Sequence, residues 1–287
     1  MEEHHVVTDR AAAPGVRDFD YDSARRLSPL AHELVEVWRY RDLVQQLTAR
    51  NIKVRYQHSL LGVGWTVLSP LLTTAVLSIV FMTLFRQVEP HYPAYLLSGL
   101  LLWNFFVQTT STMATEMIGG ADLWKRIYTP KTVFALATLA TGLVHLLLAL
   151  VSLVALMLIL GVPLGLASPF ALVPMLAVAL FALGVGLLLA ACATRFRDVI
   201  DLYQVASVAW LYLTPVIYPR AIVPDRYQWL LTLNPMTWFI EAFRVPMLQN
   251  SLPSPATIGL TTTLAIGTAV LGCWVFTHVT DGLATRA

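Results

Sequence analysis

Charge is scarce in this chain. Of its 287 residues only 13% are Asp, Glu, Lys or Arg, against 57% hydrophobic. A soluble domain of this length carries about twice that share of charge, so a soluble fold is excluded. Cysteine is nearly absent. Cys192 and Cys273 are the only two, each inside an apolar run, where a thiol is a packing residue rather than half of a disulfide. The short signatures of catalysis are missing as well. There is no GxxxxGK[ST] loop to cradle ATP phosphates, no HExxH, no Cys-x-x-Cys and no GxSxG. The apolar runs hold too few carboxylates for a proton relay. A net charge of +2 is too small to mark a nucleic-acid binder. If this protein moves anything uphill, the energy comes from another chain, and no metal site and no cofactor are expected in this one.

What is present is long apolar sequence. A hydrocarbon core about 30 Å thick takes about 20 apolar residues to cross as a helix. Six runs qualify, at about 64–85, 94–117, 132–160, 169–194, 198–217 and 256–279. The expected fold is therefore an all-α integral membrane protein, with a six-span domain over residues 58–287. The N-terminus is polar and the first run begins near residue 64, so the first span is expected to act as its own insertion signal. Residues 1–28 are polar, mixed in charge and expected to be a disordered tail. His4-His5 and the Asp20-Tyr21-Asp22 triplet in it have no fold around them to make a site. Residues 29–57 follow a Ser-Pro start with Leu30, Leu34, Val37, Leu43, Val44 and Leu47 at helical spacing. They are read as an amphipathic helix lying in the membrane surface, with Arg50, Lys53 and Arg55 facing headgroups or a cytoplasmic partner.

Several spans carry irregularities. Pro70 predicts a kink in the first. The second holds Asn104, Gln108 and a hydroxyl run over 109–112, which serve either as glue between helices or as the wall of a wet cavity; Glu116 is placed at its cytoplasmic end. His145, in the third, is either a packed neutral ring or an intramembrane functional group. Asp198 is expected to cap the fifth. The stretch over 218–248, YPRAIVPDRYQWLLTLNPMTWFIEAFRVPML, is neither a span nor an ordinary loop. It is too apolar for water and too broken by proline to cross a bilayer. Irregular backbone at membrane depth is tolerated only where protein buries it or it lines a cavity, so this stretch points to a pathway. Its Glu241 and Arg244 stand at i,i+3 and are expected to pair, or Arg220, Arg226 and Arg244 meet an anionic headgroup. Basic residues are most frequent before the first span, over 125–131 and at 195–197, which places both termini in the cytoplasm and 218–248 outside.

Four motifs in order then carry a resemblance. RDLVQQLTARNIKVRYQHSLLGVGWTVLSPLL, residues 41–72, has an interfacial helix followed by Arg55, Tyr56, Ser59, Leu61, Gly62, Trp65 and Pro70. LWKRIYTPK spans 123–131, RFRDV spans 195–199 and LNPMTWFIEAFR spans 233–244. Together they resemble the transmembrane (permease) subunits of ABC type-2 polysaccharide exporters. The resemblance implies a homodimer paired with two copies of a separate ABC ATPase, which binds the ATP and Mg. It implies export of a lipid-linked polysaccharide, of O-antigen, capsule, teichoic acid or galactan type, across the cytoplasmic membrane of a bacterium. By the same likeness, Arg50, Lys53, Arg55, Leu123, Trp124, Lys125 and Arg126 form the ATPase-coupling surface. Trp65, Tyr92, Trp103, Phe105, Phe106, Trp210, Tyr212 and Tyr218 are the aromatics on which sugar rings would stack. Two short re-entrant outer helices before the last span form an exit gate, holding Arg220, Arg226, Asn234, Pro235, Glu241 and Arg244. The rival readings are an exporter of the same build for a drug or small lipid, and an integral membrane glycosyltransferase.

Overall fold

The computed structural model describes residues 39–57, 59–84, 91–119 and 132–284, and these contain helices and turns but no strand. In chain order they form α1 (Arg41–Tyr56), α2 (Gly64–Leu84), α3 (Tyr92–Gly119) and α4 (Thr132–Ile159). A 3-10 turn at Ser168–Ala171 leads into α5 (Leu172–Arg195), followed by α6 (Val199–Leu213). Two further 3-10 turns, Arg220–Ile222 and Asp225–Tyr227, precede α7 (Gln228–Leu233), α8 (Pro235–Leu248) and α9 (Pro255–Ala284). Among the described residues four helices are long and apolar enough to cross a bilayer: α2, α4, α5 with its 3-10 turn, and α9. The chain is thus a helical, multi-pass membrane protein.

The core is built around α3. This helix packs against α5 on one side, α4 on another, and α2, α6 and α8 as well. Its Leu96, Leu97, Leu102, Phe106, Met113 and Met117 are fully buried. At 28 residues it is about 42 Å long, as long as α4, yet it carries Asn104, Gln108 and Glu116. A central helix meets protein over most of its surface, so polar side chains there do not have to face lipid. The most extensive packing joins α5 and α9. It depends on two glycines: a β-carbon on Gly184 would run into the Thr268 carbonyl, and one on Gly272 into the Gly184 carbonyl. Small residues let the two backbones touch, which is how helices associate where no hydrophobic effect drives them together.

The ends of the elements follow local chemistry. Gly161 takes φ +72 and closes α4, with Val162 N–H bonded to the Met157 carbonyl and Gly161 N–H to that of Leu158. That pair of bonds is the Schellman arrangement. The helix of α2 continues through Pro70, whose missing N–H leaves the Thr66 carbonyl without its usual donor. Three expectations change. Asp198 occupies the cap position of α6 but makes no side-chain capping bond. The fifth apolar run stops being helical at Leu213, four residues short, because Pro215 follows. α1 does not lie flat beneath the bundle. Thr48 Oγ1 donates to the Ala137 carbonyl at 3.4 Å and Arg55 meets His145 at 3.4 Å. The two steps, 48 to 55 and 137 to 145, are nearly equal, so α1 runs alongside α4 instead of crossing it.

Candidate functional site

Two polar assemblies sit inside this apolar frame. The first is a cavity of about 920 Å³ between α1, α2, α3 and α4. Its α3 wall is a stripe at steps of four: Asn104, Gln108, Thr112 and Glu116, all exposed to it. Four residues make slightly more than one turn, so these side chains share one face of α3. The α1 wall presents Arg50, Asn51 and Arg55, and the α2 wall Trp65, Thr66, Ser69 and Thr73. From α4 come Thr138, Thr141 and His145. Thr138 Oγ1 donates to the Glu116 carboxylate. Gly142 leaves room for Thr109 and Phe105, which a β-carbon would strike.

His145 stands about halfway along α4. Arg55 Nη1 lies 3.4 Å from its Nδ1, and the Tyr56 ring meets it edge-on at 5.8 Å. A guanidinium can only donate, so Nδ1 is the acceptor and the imidazole proton sits on Nε2. That Nε2 is buried with no hydrogen-bond partner among the described residues. His145 is therefore neither a lone ring nor an isolated packing residue; it is joined to a cation that the sequence order places 90 residues away.

The second assembly lies at the opposite end of the bundle, where the chain leaves α6. Over 214–218 the backbone is not helical, and side chains take over carbonyls here and at Leu213. Asn234 Nδ2 donates to Leu213 O at 3.3 Å. Arg244 Nη1 donates to Pro215 O at 2.8 Å and Nη2 to Val216 O at 2.9 Å. The Tyr92 hydroxyl donates to Ile217 O at 2.6 Å and that of Tyr95 to Tyr218 O at 3.1 Å. Arg244 is only 5% exposed. It also bonds Ser98 Oγ and the Tyr95 carbonyl, and its guanidinium lies 3.5 Å from the centre of the Tyr95 ring. Gly99 is small for this reason: a β-carbon there would come within 2.5 Å of Arg244 Nη2.

Asn234 completes the bend. Its Oδ1 accepts from Met236 N–H at 3.1 Å and from Trp210 Nε1 at 2.9 Å, and its Nδ2 reaches Thr214 Oγ1 at 2.8 Å. It caps α8, with Pro235 preset at the first helical position. Glu241 takes Arg220 as its salt-bridge partner at 3.4 Å, and Arg220 also reaches Thr232 Oγ1 at 3.1 Å. The pairing expected within α8 thus gives way: Arg244 turns into the core and Glu241 meets a residue from the preceding turn. Arg226 stays exposed, stacked over Tyr227 at 4.6 Å. Burial pushes the Tyr218 phenol up from its ordinary value, so it stays protonated and donates to the Tyr212 carbonyl at 2.9 Å.

The aromatics expected to carry sugar divide into two groups. Tyr92, Trp103, Phe105 and Phe106 belong to the packed interior. Phe106 stacks on Phe181 at 5.4 Å, and Trp210 stands edge-on to both Trp103 and Phe106. Within a single copy the α3 rings pack into the core, and Trp210 of α6 is half-buried against them. Trp65 at 48% and Tyr212 at 60% exposure keep open ring faces, and Tyr218 is half-buried. Arg50 and Arg55 face the cavity, whereas Lys53 is exposed and does not line it. Leu123, Trp124, Lys125 and Arg126 lie outside the described residues, as do His4-His5 and Asp20-Tyr21-Asp22. Cys192 is exposed and Cys273 half-buried. The sequence alone does not mark Thr138 and Thr141 as cavity residues. The steps of four from Asn104 to Glu116 were the signal for the α3 wall.

Comparison with known proteins adds a lineage to this geometry. A family model described as ABC-2 type transporter matches residues 42–248. That range includes the whole cavity and the whole bend. A protein of Myxococcus xanthus called O-antigen export system permease protein RfbA is 30% identical over 76% of this chain and 85% of its own length. A protein of Klebsiella pneumoniae with the same name is 26% identical over 74% of this chain and 82% of its own length.

Proposed function

The chain belongs to the ABC-2 type transporter family, and from that premise we propose that it is the channel-forming permease subunit of an ATP-driven exporter of lipid-linked polysaccharide. The observation that carries the reading is the match over 42–248, together with relatives named for O-antigen export along most of their length. Those names support an O-antigen type of glycan as the cargo class, and the lipid carrier is part of the proposal. The sequence lacks a phosphate-cradling loop, so ATP and Mg are bound by a separate ATPase subunit, in two copies.

In this reading α3 and α6 join the four strongly apolar helices to give six spans. The membrane is the bacterial cytoplasmic membrane, and both termini face the cytoplasm. The Arg195 end of the bundle is inner, where the 123–126 segment meets the ATPase. The Arg220 end is outer, and α7 and α8 form a re-entrant gate. Two copies of the chain assemble through faces that a single copy leaves open. On α2 these are Leu68, Leu72, Val76 and Ile79, and on α6 Leu202, Val205, Val208 and Tyr212. Each set repeats at steps of three or four and so forms one stripe. A channel between the two copies would be bounded by these helices, with Tyr212 as its available ring.

The test is a clean deletion of the gene in the native bacterium, followed by extraction of surface glycan and of lipid-linked intermediates. The expected result is glycan retained inside the cell on its lipid carrier, with surface glycan restored by the intact gene. Normal surface glycan in the deletion strain refutes the function.

A further inference from the structure

We propose that the cavity between α1, α3 and α4 is a binding site for a phosphate-bearing lipid headgroup, one per copy of the chain and separate from the channel between copies. The lining decides the chemistry. Arg50 and Arg55 face the same space from one side of α1, and a guanidinium matches phosphate oxygens with paired donors. His145 Nδ1 accepts from Arg55 and so holds that guanidinium at the cavity wall. Against these two cations stands the single carboxylate of Glu116, itself held by Thr138, so the lining keeps one positive charge in excess. Cations beside the midpoint of an apolar helix are costly unless water or an anion attends them. The Asn104, Gln108 and Thr112 stripe continues the polar wall along α3, with amides and a hydroxyl suited to the hydroxyls of a first sugar or of glycerol. At about 920 Å³ the space suits a headgroup of drug-like size and is too small for a polymer.

The proposal deepens the export reading and rests on it for one source of the phosphate, the carrier lipid of the cargo. An anionic phospholipid of the bilayer offers the same group. The full-length chain, purified in detergent with any subunit it retains, is titrated with polyprenyl diphosphate and with phosphatidylglycerol. Polyprenol and diacylglycerol serve as phosphate-free controls, and bound lipid is counted by native mass spectrometry. The expected result is saturable binding of a phosphate lipid. It weakens by about tenfold or more in the Arg50→Gln/Arg55→Gln double variant, is largely kept in Arg50→Lys/Arg55→Lys, and is unchanged in Arg41→Gln. Arg41 is exposed on α1 and does not line the cavity.

A response to polyprenyl diphosphate alone assigns the site to cargo; a response to phosphatidylglycerol assigns it to the bilayer. Either supports the site, and the second does so even if the deletion strain shows normal surface glycan. Equal binding of the phosphate-free lipids, or undiminished binding in a double variant that melts like the original, overturns it. If the double variant fails to fold, a photoreactive side chain placed at Thr141 decides. Crosslinking to a phosphate lipid that excess pyrophosphate displaces upholds the site, and crosslinking that it leaves unchanged refutes it.

Discussion

Arg244 shows how a charge can be structural inside an apolar molecule. Its guanidinium spends its donors on the carbonyls of Tyr95, Pro215 and Val216 and on Ser98 Oγ. The carbonyls of Pro215 and Val216 have no helical partner because α6 ends at Leu213, and an unpaired carbonyl away from water costs about 1–3 kcal/mol. Arg244→Met leaves several unpaired at once. The expected loss is about 3 kcal/mol or more, read as a lower melting temperature of the purified protein. Arg244→Lys keeps the charge but not the planar fork, so it should recover only part of the loss. Recovery to the original melting temperature in the Met variant would show that the bend does not depend on this residue. The same scale explains Asn234, whose amide is used by Met236, Trp210, Thr214 and Leu213 together.

Among the elements, α5 and α9 depend on close approach and α3 on shared polarity. Gly184→Val would drive a branched side chain into the Thr268 backbone. Overpacking of this kind costs about 1–3 kcal/mol, so a lower melting temperature and reduced yield in the membrane are expected. The variant Gly267→Ala, on the same α9 at a site where an added β-carbon meets open space, should be close to neutral. If both variants melt alike, helix contact at Gly184 is not what holds the pair. The stripe on α3 belongs to this scale too. One helix presents Phe106 and Met113 to the core and Asn104, Gln108, Thr112 and Glu116 to the cavity, so a single element both holds the bundle together and lines its wet space.

For the whole molecule, the two polar assemblies lie toward opposite ends of α3. The bend is tied down by buried hydrogen bonds, whereas the cavity keeps exposed, adaptable side chains. A pathway needs this contrast: a fixed frame on one side and groups able to exchange partners on the other. The proposed orientation is checked in intact cells with Arg226→Cys, since Arg226 is exposed and stacked only on its neighbour Tyr227. Reaction with a membrane-impermeant maleimide added outside is expected. Reaction only after lysis would turn the topology over.

The sequence by itself determined that this is a helical membrane protein, because low charge and apolar runs of span length admit little else. It located α2, α3, α4 and α5 to within a few residues, since apolar length and breakers such as Gly161 and Pro169 act locally. It also marked 218–248 as irregular through Pro219, Pro224 and Pro235. The partners inside that irregularity were decided by tertiary structure. Arg244 sits three residues from Glu241, a spacing that favours a local pair, but four side chains, Tyr92, Tyr95, Asn234 and Arg244, were needed to seat the broken end of α6. The fate of the aromatics was likewise tertiary. Phe106 and Trp65 look alike in an apolar run, and only packing against Phe181 and Trp210 makes one core while the other keeps an open face. The Arg55–His145 meeting spans 90 residues, a distance over which periodicity carries no information and only the fold brings charges together.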